Sequence, residues 1–117
     1  MDEPLSYDYT ILRICRPVEC LNDLAHDIVV EGDWRDEAYR VLSAALPAVH
    51  WKTTADGLRC DGTSLGMGRF ELSAVFDGVY TIVLVRGSHH VDQSRFIAQL
   101  AEMLQAAAFD SQTGRAL

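Results

Sequence analysis

Hydrophobic and polar positions change their period twice along this chain, and the changes mark its elements. Residues 7–16 alternate bulky and β-branched side chains, with Tyr9 and Ile11 on one side and Thr10, Leu12 and Ile14 on the other. Both sides are largely apolar, which predicts a strand well inside a sheet, stopped by Pro17. The period then becomes helical. Over residues 18–30, Val18, Leu21, Leu24, Ala25 and Ile28 share one broad face, while Glu19, Asp23 and Asp27 lie nearly opposite in a row four apart. Like charges at that spacing weaken an isolated helix, so helix stability does not explain the row. After the turn Glu31-Gly32-Asp33, a second helix is expected over 34–46, with Asp33 as N-cap, Asp36 and Glu37 in its first turn, and Ala38, Val41, Leu42, Ala45 and Leu46 inward. Pro47 ends it.

Beyond Pro47 the period is two. Residues 50–53 and 58–61 are short strand candidates, and 62–68 forms a glycine-rich loop. Residues 69–76 and 79–86, joined by Asp77-Gly78, predict a hairpin that sets Phe76 against Val79, Ala74 against Thr81, Leu72 against Val83 and Phe70 against Val85. That face must be core. The other face is mixed and sets Arg69 against Arg86. Asp92 caps a last helix over 93–108 with Phe96, Ile97, Leu100, Met103, Leu104 and Ala107 in one stripe. The order β-α-α-β-β-β-β-α predicts an α+β domain: one mostly antiparallel sheet of about four to five strands with helices packed on a face. Residues 1–117 read as one domain, with 1–6 a disordered lead and 109–117 a tail.

Composition adds one feature to this picture. All of the net charge of −7 falls in residues 1–37, where ten acids meet Arg13, Arg16 and Arg35; the remaining residues are balanced. Such a patch repels nucleic acid and anionic lipid and attracts basic partners. The apolar runs at 81–85 and 106–109 are far below the roughly 20 residues of a membrane helix. No secretory leader is evident, and three cysteines without a CxxC pair read as reduced thiols, so a cytoplasmic protein is expected.

Candidate chemistry is thin. Cys15, Cys20 and Cys60 lack a recognisable base. His89-His90 with Asp92, or His26 with Asp23 and Asp27, do not match metal-ligand spacings, so neither metal nor cofactor is expected. The 62–68 loop lacks a phosphate-loop ending and precedes a strand. Carboxylates of the 19/23/27 row would be equally wet, unlike an acid–base pair. Scattered Arg59, Arg69 and Arg86 do not make a nucleic-acid surface. What remains is an acidic protein-docking segment formed by Glu19, Asp23, Asp27, Glu31, Asp33, Asp36 and Glu37. Trp34 is its anchor candidate, followed by Tyr39 and Trp51, with core packing the rival account for both tryptophans.

The acidic α+β layout, the progression Trp51…Asp56-Gly57…Phe70-Glu71-Leu72 and the ending Phe109-Asp110-Ser111-Gln112-Thr113-Gly114 resemble small immunity proteins of bacterial contact-dependent growth inhibition and related polymorphic toxin systems. The resemblance implies a cytosolic, non-enzymatic protein that binds a cognate toxin domain, often a basic nuclease, and covers its active site or substrate surface. Two other readings stand beside it: a secretion or assembly chaperone that binds extended peptide, and a small enzyme of unknown reaction.

Overall fold

The computed structural model describes residues 7–25, 27–46, 50–54, 57–64, 68–87 and 94–117, with side chains described outside 50–54, 57–64 and 68–69. The expected lead 1–6, His26, the Asp92 cap and His89-His90 therefore lie outside the described residues, as do the side chains of Trp51, Arg59, Cys60 and Arg69. The chain is α+β, with one antiparallel sheet and two helices. Strands β1 (Tyr7–Leu12), β2 (His50–Thr54), β3 (Gly57–Ser64), β4 (Gly68–Phe76), β5 (Thr81–Gly87) and β6 (Ala107–Asp110) lie in the order β2-β3-β4-β5-β1-β6. Helices α1 (Arg35–Ala45) and α2 (Ser94–Met103) complete the domain.

Strand β1 is interior, as its two apolar sides required, and pairs antiparallel with both β5 and β6. Its Tyr9 and Ile11 join Phe70, Leu72 and Ala74 of β4 and Val83 and Val85 of β5 in a single core. Both helices cover that same face: Ala38 and Leu42 come from α1, and Ile97, Leu100 and Ala101 from α2. Phe96 meets Phe70 with ring centroids 6.1 Å apart. Leu12 and Phe109, which alternate with Ile11 and Ala108, are buried outside this cluster, as is Ile28.

The expected hairpin forms, but its turn falls one residue later. Asp77 N–H donates to Tyr80 O at 3.1 Å and closes a loop of Gly78 and Val79, with Gly78 at φ +100°. The Asp77 carboxylate accepts Val79 N–H at 2.9 Å and Tyr80 N–H at 2.7 Å. The register consequently becomes Phe76–Thr81, Ala74–Val83, Leu72–Val85 and Phe70–Gly87. A slip of two leaves the strand side chains on their expected faces, whereas a slip of one would invert them; Val79, expected in the core, joins the turn and is exposed. It also sets Glu71 against Arg86, removing the unfavourable arginine pairing of the expected register.

Three further elements differ from expectation. The helix over 18–30 does not form; among the described residues a 3-10 turn at Leu21–Asp23 remains, preceded by extended Cys20, and Val29 N–H still reaches Ala25 O at 3.3 Å. Residues at both ends of that stretch are taken by strand-like pairing instead. Cys15 N–H donates to Ile28 O and Val30 N–H to Arg13 O, each at 2.9 Å, with Ile14 bridged to Val29. β-Branched Val29 and Val30 favour that state, and the repelling carboxylates offer the helix no support. The last helix stops at Met103 rather than running to 108. Gln105 adopts φ 55°, while Ala106 N–H reaches Ala101 O at 2.8 Å and Gln105 N–H reaches Glu102 O at 3.1 Å. These two bonds are a Schellman stop without the glycine that would announce it. They release residues 107–110 as β6. Finally, residues 62–64 of the expected glycine-rich loop continue β3, with Gly62 paired to Phe70 and Ser64 to Gly68, and residues 65–67 lie outside the described ones.

Thr81, 1% exposed, clips α1 to the hairpin. Its hydroxyl accepts Trp34 N–H at 2.9 Å and donates to Gly32 O at 2.7 Å. Thr81→Val conserves shape but leaves both backbone groups unpartnered. It should lower unfolding free energy by about 2 kcal/mol in urea titrations, whereas Thr81→Ser should lose less.

Candidate protein-docking surface

The chain leaves β1 at Arg13, makes an excursion through residue 33 and enters α1. Most of the acids lie on this path. Glu19, Asp23, Asp27, Glu31 and Asp36 are exposed, and none makes an ion pair among the described residues. Asp23 lies in the 3-10 turn and accepts the Cys20 thiol at 3.2 Å. Asp27 carbonyl accepts the Cys15 thiol at 3.3 Å. Without the helix, Glu19, Asp23 and Asp27 are not a regular row; they stand along a loop.

Two acids of the segment are already engaged. Asp33 accepts Arg35 Nε at 2.9 Å, Nη2 at 2.7 Å and the Arg35 backbone N–H at 3.2 Å. The helix cap itself is Trp34, one residue later than expected, without a side-chain cap bond. The guanidinium contact holds the Asp33 carboxyl below its usual range and raises Arg35. Arg35 also lies 5.5 Å from the Phe76 ring centroid. Glu37, half-exposed, meets Arg13 at 2.9 Å.

Trp34 is 6% exposed and part of the core, which overturns its reading as an exposed anchor. Arg13, at the end of a strand with two apolar sides, stacks its guanidinium 4.4 Å from the Trp34 ring centroid. Its Nε donates to Leu104 O at 3.0 Å, so one cation joins β1, α1 and the end of α2. The contact of Arg13 Nη2 with Glu37 is an ion pair and not a hydrogen bond. Arg13 Nη2 and Trp34 Nε1 thus remain buried without a hydrogen-bond acceptor among the described residues. A cation over an indole contributes about 1–2 kcal/mol when desolvated. Arginine at position 13 gave no pattern signal for this role. Tyr39 stays on the surface at 43% exposure.

The ending Asp110-Ser111-Gln112-Thr113-Gly114 is a turn clamp. The Asp110 carboxylate accepts the Tyr7 hydroxyl; it also accepts Gln112 Nε2 and Gln112 N–H, both at 2.9 Å, and Thr113 N–H at 3.2 Å. The Gln112 amide imitates a strand partner, accepting Asp8 N–H at 2.7 Å and donating to Asp8 O at 2.9 Å. Gly114 supplies φ +77°. Beyond it the chain doubles back: Ala116 bridges Phe109 and Arg115 bridges Cys20, so the β6 edge is covered by the chain itself.

Among the described residues no three His, Cys, Asp or Glu side chains gather as a metal site, and no helix is long and apolar enough to cross a membrane. Comparison with family models, curated proteins and solved structures gives no match.

Burial pushes the Asp110 carboxyl up, but the Tyr7 hydroxyl, Thr113 N–H and Gln112 donors outweigh it and hold it below the ordinary 3.8. A carboxyl depressed in the folded state stabilises above its unfolded pKa, and the gain is lost as pH falls through the folded value. Asp110→Ala should therefore cost about 2 kcal/mol at neutral pH. In acid titrations of stability, the gap from wild type should narrow below pH of about 4.

Proposed function

We propose that this protein is a non-enzymatic, cytoplasmic immunity protein that neutralises a basic toxin domain. In this reading the carboxylates of the excursion cover the toxin's active site or substrate surface. The observation that carries the reading is the set of five exposed, unpaired acids, Glu19, Asp23, Asp27, Glu31 and Asp36, on one excursion of the chain. Two of the three arginines in this part of the chain are drawn off, Arg13 inward against Trp34 and Glu37 and Arg35 onto Asp33, which leaves exposed Arg16 as the cation standing among these five acids. A nuclease must carry cationic surface to hold phosphates, and complementary carboxylates steer association towards about 10⁸–10⁹ M⁻¹s⁻¹ at low salt. Rapid capture is what protection from an incoming toxin requires.

Asp33 and Glu37 contribute less than the five, being partly neutralised within the protein. Trp34 acts from beneath by fixing the start of α1. Tyr39, exposed on α1 close in sequence to Asp36, is the aromatic available to be desolvated on docking.

On this proposal a neighbouring reading frame is expected to end in a toxin domain, and the test is stopped-flow association with that domain. The combined Glu19→Lys, Asp23→Lys and Asp27→Lys variant should associate at least about tenfold more slowly at low salt, with a flatter salt dependence. All three positions are exposed, so the fold should persist by circular dichroism. Association unchanged in rate and salt dependence rejects the electrostatic mechanism.

A further inference from the structure

The acidic loop has an unequal attachment to the rest of the domain. Across residues 16–25 and 27, no described side chain is fully buried. Its own backbone bonds are local, as in Asp23 N–H to Cys20 O at 3.1 Å and Leu24 N–H to Leu21 O at 3.1 Å. Among the described residues, two backbone bonds of this loop reach beyond the excursion, and both end on the turned-back segment. Leu21 N–H donates to Gly114 O at 2.7 Å, and Ala116 N–H donates to Glu19 O at 2.8 Å, on either side of the Cys20–Arg115 bridge.

The turned-back segment does not depend on the loop in return. Gly114 N–H donates to Asp110 O at 2.7 Å, Asp110 N–H to Arg115 O at 2.8 Å and Leu117 N–H to Ala108 O at 2.9 Å. The Asp110 carboxylate fixes the intervening turn. Segments with few buried contacts and few non-local hydrogen bonds open first, at free energies well below that of global unfolding.

We propose that the loop formed by residues 16–25 is a separately opening unit, strapped to the sheet through residues 114–116, which act as positioning residues for Glu19 and Asp23. The hierarchy is directional: the strap stays on β6 when the loop opens, and the loop loses its place when the strap is lost. Its bearing on partner capture rests on the function proposed above. There, the strap would decide whether these carboxylates meet a partner as a fixed array or as a mobile chain.

Amide hydrogen exchange on the isolated full chain tests the device without any partner, so its outcome is independent of the charge-reversal experiment. Leu21→Pro deletes one strap bond. Proline suits the first position of the 3-10 turn, and extended Cys20 (φ −148°, ψ 162°) suits the residue before it. In this variant Ala116 N–H should exchange at least about tenfold faster, while Gly114 and Leu117 amides keep their protection within about twofold. Ala116→Pro deletes the other bond and should speed Leu21 exchange similarly, leaving Val30 N–H, bonded to Arg13 O, protected. Unchanged Ala116 exchange in Leu21→Pro overturns the proposal. So does equal acceleration of Gly114 and Leu117, which would make loop and strap one unit.

Discussion

Insertion of β1 between β5 and β6 places nearly everything outside the sheet. A first strand with apolar residues on both sides cannot rest at an edge, where one row of backbone groups and part of its hydrophobic surface would stay in water. Once interior, it needs a neighbour on each flank. One is β5 from the hairpin; the other is β6, which exists because α2 stops at Met103. β1 ends beside the hairpin end, with Ile11 against Val83, and the excursion over residues 13–33 leaves from there and comes back onto 13–15 before α1 starts. Thr81 receives it there, bonding Gly32 and Trp34.

The same geometry sorts the charges. Arg13 follows the last β1 residue, so its side chain meets the core boundary, where the Trp34 ring, Leu104 carbonyl and Glu37 surround it. A guanidinium so enclosed is useful to the fold and absent from the surface. Arg35 is likewise occupied by Asp33. Two bases in this third of the chain are spent on internal contacts and each takes an acid with it, so the net charge is unchanged but is carried by the acids left without an ion pair. That sorting is the physical link between the fold and the proposed capture of a cationic domain.

The tail over residues 110–114 has a structural occupation in this chain. Asp110, Gln112 and Gly114 make a turn that matches β6 to β1 and sends the chain back along the sheet edge. Its motif-like character is explained by hydrogen-bond geometry, with no need for contact to a partner. Covering that edge also removes a site for unwanted strand addition.

The sequence by itself determined the α+β class, the interior β1, the core faces of β4 and β5, the inward positions of α1 and the location of the acids. Each follows from a short-range period that burial enforces, and the two-residue register slip left those faces intact. Tertiary structure decided the rest. The stretch 18–30 has a helical period, yet one end gained strand-like bonds to 13–15 and the other to 114–116, and local pattern cannot weigh such partners. The end of α2 carried no glycine to mark it, so β6 was hidden inside a helical stripe. Trp34 stands among acids in sequence and lies beneath them in space. Whether a residue is surface or core depends on which distant side chain arrives above it, here Arg13, and only the folded arrangement fixes that.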